Sequence, residues 1–172
     1  MKNLKEDKKA KTTSFFLNSR KEFFSNKHIN FLLKYYKKNQ KDIRICLHKG
    51  RSDNHHDMII LQQKKNFYKP HKHLRKGKTF HMVRGKMIIV VFANNGKISS
   101  CSLLKKEDIY RMPMNKFYTM IPISKFVIYQ ESKVGPFLKK RDSIFPKWLK
   151  KFDKKKEIDL FNSHVKKILR NA

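Results

Sequence analysis

Residues 87–104 read MIIVVFANNGKISSCSLL. Asn94, Asn95 and Gly96 stand between two runs of strand-forming residues. Asparagine and glycine accept the positive φ of a tight hairpin, so the stretch reads as two antiparallel strands joined by a turn. Outward from this hairpin, short apolar or alternating runs separated by turn residues extend from residue 42 to about residue 137. The runs are Ile43–Leu47, Met58–Leu61, Thr79–Val83, Met87–Ala93, Ile98–Leu104, Ile109–Met112, Phe117–Ile123 and Lys125–Gln130. Eight short strands at this spacing point to an antiparallel sandwich or barrel.

The flanks read differently. Residues 1–13 are polar and lysine-rich, with almost nothing to bury, and are expected to form a disordered basic arm. Residues 14–41 form a helical segment: after Ser25 or Asn26 as N-cap, Ile29, Leu32, Leu33 and Tyr36 recur at helical spacing and make one apolar stripe. The β region runs over 42–149, and residues 150–172 return to helical spacing, with Asp153 as a cap and Ile158, Phe161 and Val165 on one face. No internal repeat and no linker interrupts the chain, so one domain is expected.

Of the 172 residues, 39% are hydrophobic, enough for one ordinary core, and the formal charge is +30. A charge of that size favours anionic partners: nucleic acid, phosphorylated substrates or acidic surfaces. The residues that are abundant here, lysine, asparagine, isoleucine, phenylalanine and tyrosine, also share A/T-rich codons, so charge alone does not name a function. Cys46 and Cys101 are the only cysteines, too few for a disulfide framework and without C-x-x-C spacing. No run of eighteen apolar residues occurs and no apolar stretch follows the charged N-terminus, so a cytoplasmic chain is expected.

Residues 66–85, NFYKPHKHLRKGKTFHMVRG, hold the candidate chemistry. His71 and His73 lie one residue apart, so on a strand they project from one face, and two imidazoles can share a divalent ion if another ligand joins them. His81 follows, but if Lys78, Phe80 and Met82 face inward, alternation turns His81 outward. His55 and His56, with Asp53 and Asp57, read as a solvated polar loop. Cys46 reads as a small buried hydrophobe. Trp148 and most phenylalanines read as core rather than as stacking platforms for bases.

The order of these parts resembles the cupin family, whose first motif has H-x-H, a Glu a few residues on and a Gly beyond it. The second motif, P-x-G-x-x-H, is similar to Pro113-Met114-Asn115-Lys116-Phe117-Tyr118. Within that family the chain resembles the WbuC-type cupin-fold metalloproteins over roughly residues 27–149. The resemblance rests on Arg44 to His48, Met58-Ile59-Ile60, Tyr68-x-Pro70-His71-x-His73, Phe80 to Gly85, Glu131 followed by Gly135-Pro136-Phe137, and Phe145-Pro146-x-Trp148. It implies a mainly β, single-domain jelly-roll barrel with flanking N- and C-terminal helices, and a homodimer paired through sheet edges. It also implies an association with surface polysaccharide (O-antigen or lipopolysaccharide) or nucleotide-sugar biosynthesis.

This copy departs from the family at its ligands. The glutamate position falls on Lys78, whose ammonium has no lone pair and repels a cation, and the second-motif histidine falls on Tyr118, a poor ligand while neutral. A divalent transition metal is therefore doubtful: His71 and His73 remain as metal ligands of a degenerate site. His71, His73, Lys78 and Tyr118 together form an expected ligand pocket, cationic and donor-rich, suited to a small anionic or sugar-nucleotide ligand. Two further readings stay open. A metal-independent nucleotide-sugar isomerase or epimerase would use His71 and Tyr118 as catalytic proton carriers, and a basic module would bind nucleic acid or another polyanion through its lysines. Glu131 is expected to pair with a lysine or to hold Arg44.

Overall fold

The computed structural model describes residues 3–18, 23–66, 68–138 and 142–151. Ten strands and one α-helix follow in the order β1 (Leu4–Glu6), β2 (Thr13–Leu17), α1 (Asn26–Asn39), β3 (Ile43–Cys46), β4 (His55–Gln63), β5 (Lys78–Arg84), β6 (Met87–Phe92), β7 (Ile98–Leu104), β8 (Ile109–Met112), β9 (Phe117–Pro122) and β10 (Phe126–Val134). A 3-10 helix at Lys147–Lys151 ends the described chain. The terminal helix expected over 150–172 lies almost wholly outside the described residues.

Helix α1 starts where Ser25, in extended conformation, donates its backbone N–H to His28 Nδ1 at 3.0 Å, and it ends at Gln40 in the left-handed region. Its stripe is the expected one. Leu32 and Tyr36 are buried, and Ile29 and Leu33 pack beside them on Ile43, Ile45, Ile59, Leu61 and Ile128. Burial of each such side chain contributes about 1.5–3 kcal/mol.

The strands form two sheets, one in the order β1-β2-β3-β4-β10-β5-β8 and the other in the order β7-β6-β9. They pack face to face through a core that takes Met58, Phe80, Met82 and Tyr129 from the first and Met87, Ile89, Tyr118 and Met120 from the second. Strand β6 is buried on both faces, because Ile88, Val90 and Phe92 point away from that core and are covered by Trp148 and its neighbours. The β6–β7 hairpin turns at Gly96, whose φ is +90°, and the Trp148 ring lies close against the space a side chain there would need.

Three expectations are corrected. The sheets are open rather than closed into a barrel: β8 and β1 end one, and β7 and β9 end the other. Among the described residues, the edge of β9 is met by an isolated bridge, His71 with Tyr118. The supposed arm, in turn, contains β1, and the segment before the helix contains β2. These two pair with each other, and β2 pairs in parallel with β3. The physical reason is edge pairing: Phe15, Phe16 and Leu17 gain a sheet to pack on once α1 carries the chain across to β3. Residues 55–57 likewise belong to β4 rather than to a loop.

Candidate functional site

Strand alternation builds the floor of the site. On the inner face of β10, Val127 and Tyr129 are followed by Glu131 and Lys133; on β5, Met82 and Phe80 are preceded by Lys78. Lys133 lies directly opposite Lys78 on one neighbour and His56 on the other. Like charges in that position repel. Glu131 relieves the repulsion, with Oε1 at 3.1 Å from Lys78 Nζ and 3.8 Å from Lys133 Nζ. Arg44, the other partner considered for Glu131, instead reaches Ser14 Oγ at 2.6 Å. One end of the inter-sheet core is therefore ionic.

The walls come from loops. His71 and Tyr118 exchange backbone hydrogen bonds of 3.1 and 3.0 Å, which bring the His-x-His segment beside β9. The Asn115 N–H donates to the His73 carbonyl at 2.9 Å, with Asn115 at a φ of 58°. Tyr118 is the common neighbour: its ring centre lies 4.8 Å from that of His71, 6.4 Å from His73 and 5.7 Å from Lys78 Nζ. The four expected pocket residues thus converge, and His81 does not join them. Neither of two open clefts, of about 550 and 670 Å³, is lined by these four residues. Lys78 and Tyr118 are buried where the four meet.

Three groups that the sequence did not single out complete the arrangement. Lys76 Nζ donates to Asp142 Oδ1 at 2.6 Å and to the Pro136 carbonyl, and Lys133 Nζ lies 3.4 Å from Asp142 Oδ2. Lys76, Lys78, Lys133, Glu131 and Asp142 all have side chains no more than 10% exposed. The signal for Lys133 was present in the alternation with Glu131. Lys76 and Asp142 had none, since a lysine in a loop and an aspartate far along the chain are joined only by folding.

Proton positions follow from the partners. A carbonyl only accepts, so His71 Nδ1 donates to the Lys69 carbonyl at 3.0 Å and His73 Nδ1 donates to the Asp142 carbonyl. Each neutral ring then presents a bare Nε2 lone pair. Burial, then the Lys78 charge, pushes His71 down to about 4 and His73 down to about 3, so both stay neutral near pH 7. Burial raises Tyr118 well above the ordinary phenol value, keeping its hydroxyl protonated. Burial opposes ionisation of Glu131 and Asp142, but the neighbouring ammoniums outweigh it and hold each carboxyl at about 2. Among the described residues, His73 Nε2 and the Tyr118 hydroxyl are buried without a hydrogen-bond partner.

A second histidine pair lies at the far side of Lys133. His56 stacks on His48 with ring centres 4.1 Å apart, while His55 turns outward to Ser132 and Asp57 accepts from Gln130. These side chains alternate across the sheet and do not converge as a second metal cluster.

The donor set does not fit a divalent ion. Carbonyl-anchored imidazoles with free Nε2 are the posture of metal ligands. Yet their inward neighbours are an ammonium and a neutral phenol, and among the described residues no group of three His, Cys, Asp or Glu side chains could hold a metal. Lys78 puts a fixed positive charge where a cation would sit. Also among the described residues, no helix is long and apolar enough to cross a membrane.

A family model described as "Domain of unknown function (DUF6016)" matches residues 36–104. No curated protein matches the chain. Among solved structures, the chain is similar to CapF, the capsular polysaccharide assembling protein from Staphylococcus aureus, at 16% identity, over 55% of this chain and 27% of that one, with a TM-score of 0.49. It is similar to KdgF from Halomonas sp. at 12% identity, over 55% of this chain and 80% of that one, with a TM-score of 0.45. The Cnp3 cupin domain of Schizosaccharomyces pombe is similar at 14% identity, over 56% and 66% of the two chains, with a TM-score of 0.44. The matched part spans less than a third of the length of CapF.

Proposed function

We propose that the chain is a cupin-type protein, similar to the WbuC-type members, that binds an anionic, hydroxyl-bearing ligand of the sugar class without a metal, in surface polysaccharide or nucleotide-sugar metabolism. The observation that carries the reading is the buried Lys78 ammonium beside two unsatisfied polar atoms, His73 Nε2 and the Tyr118 hydroxyl. A ligand hydroxyl donates to the lone pair, the phenol donates to a ligand oxygen, and the lysine charge favours an anion. The order of motifs around His71, His73 and Glu131 supports the biological setting.

The chemistry of the same atoms supports a second reading, a metal-independent isomerase or epimerase. His71 is neutral and Tyr118 protonated, so a base and an acid stand side by side, with ring centres 4.8 Å apart. Exchange of substrate protons with deuterated solvent, lost in His71→Ala, identifies this activity; binding without exchange excludes it. Nucleic-acid binding through the lysines predicts a steep fall in affinity with salt and no sugar binding.

Calorimetric titration in EDTA, with glucuronate and nucleoside-diphosphate sugars, tests the main reading. Binding is expected to survive the chelator and to weaken roughly tenfold or more in His73→Ala and Tyr118→Phe. Elemental analysis should find metal in a Lys78→Glu/Tyr118→His variant and none in the native chain. A native protein that carries stoichiometric metal overturns the reading.

A further inference from the structure

The two buried carboxylates of the site are held very differently. Glu131 belongs to β10, which is paired on both sides, so it is part of the sheet. Asp142 belongs to a segment outside the strands, which reaches the sheets by two backbone hydrogen bonds between Lys72 and Ile144, of 2.9 and 3.0 Å, by Trp148, six residues on, against Phe92 and Phe117, and by the polar contacts of Asp142. Those contacts are complete for a carboxylate. Oδ1 is 2.6 Å from Lys76 Nζ, while Oδ2 is 3.4 Å from Lys133 Nζ and 3.8 Å from His73 Nδ1.

If Asp142 leaves, the lysines keep partners: Lys76 retains the Pro136 carbonyl and Lys133 retains Glu131 at 3.8 Å. What they lose is one anion of carboxylate shape. The five charged groups already carry an excess of one positive charge, three ammoniums against two carboxylates, and removal of Asp142 doubles that excess in a site with little water to screen it. An anion from solution would then be drawn to the same two ammoniums. Beside it stand the unpartnered His73 Nε2 and Tyr118 hydroxyl, and the exposed Phe145 ring, 6.4 Å from His71, flanks the approach.

We infer that Lys76 and Lys133 form a carboxylate subsite, that Asp142 fills it as a tethered stand-in when no ligand is bound, and that the ligand is a carboxylate-bearing, uronate-type molecule whose carboxylate displaces Asp142. The uronate half of this statement rests on the sugar-binding reading above; the carboxylate subsite does not.

The test uses the full chain with Asp142→Ala, probed with acetate, formate, inorganic phosphate, chloride and glucuronate. Acetate is expected to raise the variant's Tm saturably by several degrees, phosphate and chloride to do so much less, and the native chain not to respond. Glucuronate should bind the variant roughly tenfold more tightly than the native chain, since no internal competitor remains. A variant that folds only with acetate present supports the subsite equally. A variant that stays unfolded in acetate, or that responds equally to all the anions, overturns the subsite. In the native chain, saturating glucuronate should accelerate hydrogen exchange at the Lys72 and Ile144 amides; binding with unchanged protection sinks the displacement. Acetate rescue without any glucuronate binding leaves the subsite standing and defeats the sugar reading. Glucuronate binding without acetate rescue does the reverse.

Discussion

The space between the two sheets has a dry end and an ionic end, and the same two strands build both. Along β5, Met82 and Phe80 are fully buried among Met87, Ile89 and Tyr129, and two residues further back Lys78 is buried beside Glu131. Along β10, Tyr129 gives way to Glu131 and Lys133 on the same face. The backbone geometry is shared, so the contrast is one of side-chain choice. A chain selected for stability alone would continue the apolar packing, because buried ion pairs seldom repay their desolvation and apolar replacements are often neutral or better. Burial of five charged groups at one end, with two polar atoms left unsatisfied among the described residues, makes this the end that gives up stability, and it is the end where the proposed ligand site lies.

The sharpest test of that contrast cuts one ion and then its partner. Glu131→Gln strips Lys78 of its carboxylate and is expected to cost about 3–5 kcal/mol. Lys78→Met combined with Glu131→Leu, which leaves Lys133 paired with Asp142, should recover most of that stability while abolishing ligand binding. Denaturant titration of both variants measures this, and a double variant as unstable as the single one would break the division into a stability end and a binding end. At the dry end, Met82→Ala should cost about 2–5 kcal/mol through its cavity and leave the pH dependence unchanged.

An intermediate effect separates the ends by pH. His56, His71 and His73 are held at about 4, 4 and 3, below the ordinary 6.5, chiefly by burial. Groups with depressed folded values contribute stability that is intact above their unfolded values and lost on acidification. As pH falls from about 6.5 toward 4, the unfolded chain takes up protons that the folded chain refuses, and stability drops. Glu131 and Asp142, lowered to about 2 from 4.5 and 3.8, extend the loss from about 4.5 downward. Chemical denaturation between pH 7.5 and 3 should show the decline beginning above pH 5, with His73→Asn flattening its upper limb. A flat profile down to pH 5 would mean that these rings are not held neutral by the fold.

The smallest expected effect lies one residue off the ionic face. His81 points away from Lys78, Phe80 and Met82, and His81→Ala should change stability by no more than about 0.5 kcal/mol and leave ligand affinity unaltered. A larger loss of affinity would place His81 in the site.

Much of this was legible locally. All eight expected strands correspond to β3 through β10, because each carries its own period of two and its own turn residues, and Asn94-Asn95-Gly96 names its hairpin unaided. The stripe of α1 was equally local. Strands β1 and β2 were not legible: TSFFL is short, follows a lysine-rich stretch, and becomes a strand only because β3 offers a parallel edge. The closed barrel was wrong for a related reason, since closure depends on whether distant edges meet, and here β1 and β8 end one sheet while β7 and β9 end the other.

At the site, the sequence alone determined which residue types were present and which faces they shared: two imidazoles on one short segment, an ammonium in place of a carboxylate, and a phenol in place of a third imidazole. Alternation and side-chain chemistry are short-range properties, so they survive reading one segment at a time. Only the tertiary structure decided what those groups do to one another. It set Lys133 across from Lys78, brought Asp142 from sixty-nine residues beyond His73 to a buried carboxylate position, and left His73 Nε2 and the Tyr118 hydroxyl without partners among the described residues. Charge energies depend on distance and on the exclusion of water, and both are set by folding.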